Sequence, residues 1–316
     1  MSEELLLVSI LASGIRLATP FLIASIGEIF SERSGVLNLG LEGIMLMGAF
    51  SGFTIAFVTE NLWLGILFGM IVGGLFNLIN CLLSVKLGTD QTVNGLVIWI
   101  LGLGLSSFFF RMIFGWMITG SRPNFPTITG LKPIYIPILS DIPLVGPTLF
   151  SQNILVYLAL FMVPLSAFIL NRTRYGLSIR AVGENPAAAD TLGIRVQRTR
   201  FLCVFFGGML AGLAGAYVSL AQVGFFRDNM VGGRGFIVIA IVIFGNWGHY
   251  GALLGSLLFG LADSLQLHLQ TVFGWWIPWQ FFSMLPYIVT IVALVGILRK
   301  TRAPAALLKH FKRGER

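Results

Sequence analysis

Polar side chains set inside apolar runs are where this 316-residue chain could do chemistry. Asn38 and Glu42 are four residues apart, so on a helix they share one face. Asn77, Asn80 and Ser84 form a second polar stripe at helical spacing, and Asp263, Gln266 and Gln270 a third. Arg16 sits near the middle of the first apolar run. A charge at the centre of a bilayer costs about 2.5–3.5 kcal/mol on insertion scales, so such groups face a partner or a wet cavity. Two readings stand: the groups line a polar translocation path, or they pair structurally, for instance Arg16 with Glu42. Neither reading is covalent catalysis. No Ser/His/Asp set or nucleophile motif can be assembled. His249, His268 and His310 lack metal-ligand spacing, and Cys81 and Cys203 fall in apolar runs as buried thiols. No GxxxxGK[ST] loop occurs, so the chain does not bind ATP through that motif.

The elements that must position these groups are membrane helices. The chain is 56% hydrophobic and only 11% charged, where a soluble domain carries roughly 25% charge. Nine apolar runs are expected at 5–29, 36–58, 62–83, 93–114, 152–170, 201–222, 234–246, 250–269 and 279–298. The first follows the acidic start SEE and is read as a span, not a cleavable leader. The seventh is short enough to be half of a broken helix. The expectation is an all-α polytopic membrane protein of about 8–10 transmembrane helices. Residues 1–300 would form the membrane domain and 301–316 a basic cytoplasmic tail.

Two segments look interrupted, GVLNLGLEGIMLMG at 35–48 and a Gly-rich stretch over 231–260. A matched pair of interrupted segments in the two halves points to a weak internal repeat around a transport site. The steps Gly208/Gly212 and Gly251/Gly255 read as close helix packing. Residues 115–151 carry Pro123, Pro126, Pro133, Pro137, Pro143 and Pro147, a density that favours an irregular external lid.

The longest strongly hydrophilic stretch, 171–200, holds six arginines against two acids, Glu184 and Asp190. A short helix signature lies within it. Asn185 is placed as N-cap, Pro186 at the first helical position, Ala187, Ala188 and Ala189 follow, and Gly193 stops the turn. It reads as a docking element or as an ordinary surface loop. Basic residues gather here and in the tail from Arg299, which places both on the cytoplasmic side. The N-terminus and 115–151 then fall outside. Anionic lipid, not nucleic acid, is the expected partner of the tail.

Three of these motifs together resemble a known family. GEIFSERSGVLNLGLEGIMLMGAF (27–50), GLSIRAVGENPAAADTLGI (176–194) and GRGFIVIAIVIFGNWGHYGALLGSLLFGLADSLQ (233–266) are similar, in order, to motifs of ABC-importer permeases of the simple-sugar and nucleoside group. The likeness covers most of the chain and is weakest in 115–151. SERSG with LNLGLEG, and GRGF with FGLADSLQ, look most like the nucleoside branch; some relatives there are labelled sugar permeases. The resemblance implies a non-enzymatic transport subunit in the bacterial cytoplasmic membrane. It implies a second permease (homologue or copy), a cytoplasmic ABC ATPase that carries ATP and magnesium, and an external substrate-binding protein. It also makes Gly183, Glu184, Asn185, Pro186, Ala187, Ala188, Ala189, Asp190 and Gly193 the ATPase-coupling loop. The polar path would draw on Arg16, Asn38, Glu42, Asn77, Asn80, Asp263 and Gln266. The rival reading is an ATP-independent secondary transporter.

Overall fold

The computed structural model describes residues 3–119, 125–135, 145–273, 278–289 and 302–312, with single positions between them. Among these residues every element of regular secondary structure is a helix. Among the described residues seven helices are long and apolar enough to cross a membrane. They lie in α1 (Glu3–Arg33), α2 (Leu41–Thr59), α3 (Leu62–Asn80 with a π-helical extension Cys81–Leu87), α4 (Gln91–Thr119), α6 (Ile154–Arg172), α9 (Val196–Tyr217 with a π-helical extension Val218–Val223) and α11 (His249–Phe273). Shorter elements are α5 (Val145–Leu149), α7 (Arg174–Glu184), α8 (Pro186–Thr191), α10 (Arg234–Phe244) and α12 (Trp279–Ser283). The expected ninth run lies outside the described residues beyond 291, apart from an apolar helical stretch Gln280–Val289.

Local chemistry sets the helix ends. The SERSG segment closes α1: Gly35 takes φ +95°, Val36 N–H donates to Ser31 O at 3.2 Å and Gly35 N–H to Glu32 O at 2.9 Å. That is a Schellman stop, with glycine where the left-handed conformation is needed. The second expected run therefore does not start at 36. Residues 34–40 are irregular, and α2 begins at Leu41. Asn61 caps α3 through Trp63 N–H at 2.9 Å, and Asp90 caps α4 through Thr92 N–H at 2.8 Å. Both α3 and α9 end in π-helical turns stopped by a glycine at positive φ, Gly88 and Gly224. The two helices share this ending, although the interrupted segments expected to match were 35–48 and 231–260.

Burial identifies the centre of the bundle. α2 and α9 are 72% buried along their apolar windows, against 22% for α4. The backbones of α2, α3 and α9 meet at Gly48, Gly73 and Gly212, where any added Cβ would strike a neighbouring main chain. Gly208 lies against Asn77 and Gly73, so the Gly208/Gly212 step seats α9 on α3. Gly251 and Gly255 similarly face Gly245 and Ile241, seating α11 on α10. α1 runs along α11 through Ser13 and Ser264 hydroxyls 2.6 Å apart.

The bundle has two distinct ends. At one lie α7, α8, residues 302–312 and the α1 terminus, linked by Ala306 N–H to Gly183 O at 2.8 Å. At the other, residues 125–135 pass over the end of α9 without regular structure, Ile128 N–H donating to Gly224 O at 2.8 Å. Pro123 and Pro143 of the expected lid lie outside the described residues. Phe50, Phe53, Phe110, Phe114 and Phe226 pack together near that second end.

The glycine crossing generates a test. Gly212→Ala should cost about 1–3 kcal/mol by overpacking and lower the thermal midpoint in detergent. Gly104→Ala, which meets nothing within 4 Å, should leave the midpoint unchanged or raised. Equal midpoints for the two variants would refute the close approach.

Candidate functional site

Three features converge on the interrupted segments: a buried carboxylate latch, a polar cavity beside it and a strapped loop at one end.

The latch joins the two halves of the chain. Glu42 is 1% exposed, and its two carboxylate oxygens accept Gly233 N–H and Gly235 N–H, each at 2.7 Å. These are orphan donors at the start of α10, and a carboxylate is the matching acceptor at a helix N-terminus. Gly235 has to be glycine, because a Cβ there would run into the Glu42 backbone. One helical turn back along the chain, Asn38 donates its N–H to Glu28 Oε1 at 2.9 Å and its Nδ2 to Asn77 Oδ1 at 3.3 Å. Asn77 Nδ2 continues to Val204 O at 2.7 Å. Glu32 accepts Trp247 Nε1–H at 2.5 Å, and Arg33 Nε donates to Trp247 O at 3.1 Å. The last turn of α1, just before the 34–40 break, is therefore held against the second break, 245–248.

The polar cavity lies on the other side of the α10 start. It measures about 430 Å³, and Arg234, Asp263, Gln266, Ser283 and Tyr287 are among its lining residues. Asp263 and Gln266 of the third stripe are thus brought to one wall. Asn38, Glu42, Asn77 and Asn80 are not in that wall; they are buried and hydrogen-bonded within the helix packing. Arg16 is exposed on α1, and its carbonyl accepts Tyr217 Oη–H at 3.2 Å and Gln222 Nε2–H at 2.9 Å. An Arg16–Glu42 pair does not form: Arg16 is exposed, and Glu42 is buried with a backbone amide on each oxygen. Among the described residues the ion pair is Arg111–Asp228 at 2.7 Å. Ser84 bridges Asn80 and Asn94, so the second stripe fastens the α3–α4 turn.

The loop after α6 holds two helices. Thr173 caps α7 through Gly176 N–H at 3.2 Å, and α7 ends at Glu184. Asn185 Oδ1 accepts Ala188 N–H at 3.0 Å, Pro186 opens α8, and Gly193 takes φ +82° after it. The alanines do not form one outer face. Ala189 packs inward on Val182 and Val196, while Ala187, Ala188 and Leu192 are exposed. Residues 302–312 strap this loop to the rest. Phe311 packs on the Val182 cluster, and Arg302 N–H donates to Asn246 Oδ1 at 2.9 Å. The buried Arg200 side chain ties Ser34 O at 3.1 Å to Lys309 O at 2.8 Å.

Sequence reasoning missed Glu28, Glu32, Trp247 and Arg200. The one available signal was GEIFSER, where two glutamates fall four apart at the end of an apolar run.

This arrangement has relatives. The family described as branched-chain amino acid transport system / permease component matches residues 10–294. The chain belongs to that family. The permease is 39% identical to the nucleoside ABC transporter permease protein NupC of Lactococcus lactis over 94% of each chain. It is 39% identical to the guanosine ABC transporter permease protein NupQ of Bacillus subtilis over 95% of each. A Haloferax volcanii protein, TsgC13, named provisionally as a glucose ABC transporter permease, is also 39% identical over 96% of this chain and 97% of its own. The chain is a multi-pass membrane permease subunit of an ABC transporter, and not itself an enzyme.

The strap can be tested directly. Arg200→Ala removes two hydrogen bonds from a charged donor, worth about 1.5–3 kcal/mol each. Trypsin cleavage after Lys309, followed by mass spectrometry, should then speed up at least tenfold. An unchanged cleavage rate would mean that Arg200 does not hold the segment.

Proposed function

We propose that this permease carries nucleosides across a bacterial cytoplasmic membrane as one of two permease subunits of an ATP-driven importer. The observation that carries the substrate class is the 39% identity, over about 95% of the chain, to permeases named for nucleosides and guanosine. The glucose name of the Haloferax relative supports a second reading, a simple-sugar permease. ATP and magnesium belong to a separate cytoplasmic ATPase, and an external binding protein delivers the substrate. The partner permease is a copy or a homologue. Lipid covers the exposed apolar side chains of α4, such as Val97, Ile100 and Met112.

Residues 183–193 are the coupling element. Arg172, Arg174, Arg180, Arg195 and Arg198 surround it, which favours the cytoplasmic side. Its exposed Ala187, Ala188 and Leu192 suit a cleft on the ATPase. ATP-driven closure would push α8, and the bonds from Gly183 through Ala306 and from Asn246 through Arg302 would pass that push to the helix breaks. Asp263 and Gln266, with Arg234, form this subunit's share of the path. Asn38, Glu42, Asn77 and Asn80 support it from behind. Such a cycle is a two-state rearrangement biased by the ATPase, with no chemical step on the substrate.

Ala188→Trp places a bulky ring on the exposed face of α8. Nucleoside uptake by the reconstituted transporter should fall at least tenfold, with normal membrane insertion and weakened or uncoupled ATPase. Normal ATPase pull-down together with normal uptake would reduce the segment to a surface loop. Uptake of glucose in preference to guanosine by the unmodified transporter would select the sugar reading.

A further inference from the structure

Asp263 is the unusual group in the cavity. It lies in the body of α11, partly buried, and among the described residues it has no hydrogen-bond partner. Arg234, across the same cavity, does not pair with it; its Nη1 donates to Gln222 Oε1 at 3.3 Å. Each acid of the neighbouring latch holds at least one donor: Glu42 two amides, Glu28 the Asn38 amide through one oxygen and Glu32 the Trp247 indole through one oxygen. A carboxylate left open in a membrane span is costly unless water or a ligand meets it.

The surrounding groups narrow what that ligand is. An ionised carboxylate only accepts, and its two oxygens suit two neighbouring O–H donors. Gln266 both donates and accepts, Arg234 donates, Ser283 accepts through a hydroxyl whose hydrogen goes to Gln280 O at 2.7 Å, and Tyr287 adds an aromatic ring to the lining. One cation and one anion leave the wall without net charge, so it does not favour a solute of either net charge. The cavity volume of about 430 Å³ falls in the range of small-molecule sites.

We infer that Asp263 is a specificity-determining residue that receives the vicinal hydroxyls of a neutral sugar ring, with Arg234, Gln266 and Tyr287 addressing the remainder of the ligand. The inference rests on the proposed transport function and goes further by assigning ligand atoms to a residue. A ribonucleoside and a hexose both carry such a diol. A zwitterionic amino acid, which could bridge Asp263 and Arg234 with its ammonium and carboxylate, is the competing ligand that the test addresses.

The test uses the complete reconstituted transporter with its ATPase, partner permease and binding protein. Uptake is measured for guanosine, 2′,3′-dideoxyguanosine, glucose and leucine. The binding protein is the same throughout, so a change in the ratio between substrates reports on the permease. The unmodified transporter should prefer guanosine over the dideoxy analogue, and Asp263→Asn should shrink that ratio at least fivefold. If guanosine enters and Asp263→Asn leaves the ratio unchanged, the inference fails while the transport reading survives. If no guanosine enters, the transport reading fails; glucose uptake would then identify the hexose as the source of the diol, and leucine uptake would overturn the inference too. Should Asp263→Asn fail to assemble, Ser283→Cys retains the carboxylate and supplies a second readout. Guanosine should slow maleimide labelling of that thiol at least fivefold more than dideoxyguanosine or leucine does. Equal protection by all three would overturn the assignment.

Discussion

A helix that starts within a bilayer presents N–H groups where no water can bond them, and the structure depends on how α10 meets that constraint. Non-helical backbone at membrane depth is tolerated only against protein or a wet cavity. Glu42 supplies both carboxylate oxygens to Gly233 and Gly235. Two consequences follow. The acid does not line the cavity, because it is buried with a backbone amide on each oxygen. The start of α10 is also fixed to α2, which brings Arg234 beside the cavity that Asp263 and Gln266 line.

The same economy holds along the breaks. Asn38, Glu28, Asn77 and the Val204 carbonyl form one buried chain of hydrogen bonds from α1 to α9. Glu32 and Arg33 hold Trp247 from the other half. Buried polar networks of this kind are stable when each member has a partner, and they specify one arrangement. Around them, glycine-lined contacts let α2, α3 and α9 approach at backbone distance. A bundle built this way moves as linked pieces. The strap from Arg302 to Lys312 touches the loop of α7 and α8 as well as Asn246, so the loop and the second break share one tether.

Much of the fold was legible in the sequence because membrane spans declare themselves by length and apolarity. The seven long helices fall on expected runs, and the short seventh run is α10. Ends were less legible. The second run was expected from 36, yet Gly35 at φ +95° stops α1 and residues 34–40 stay irregular. Hydropathy does not sense a backbone stop inside an apolar stretch. Asn185, Pro186 and Gly193 marked α8 because capping is local chemistry. The preceding helix α7 was not separated, since its residues read as a hydrophilic loop. For the site, periodicity put Asp263 and Gln266 on one face. It could not tell a residue facing a cavity from one whose bonds are already used, as with Glu42, because the partners are remote in sequence. Arg200 and Trp247 carry no local signal; their roles come from carbonyls and carboxylates over a hundred residues away.

The central claim, that the Glu42 carboxylate holds the start of α10 and with it the transport geometry, is tested most directly by hydrogen exchange at residues 231–237. Glu42→Gln leaves a single acceptor oxygen for two amides, and an orphaned buried donor costs about 1–3 kcal/mol. Exchange of the Gly233 and Gly235 amides should accelerate about tenfold or more in the variant, with uptake reduced in parallel and α2 and α9 still protected. Unchanged protection of those two amides would contradict the account.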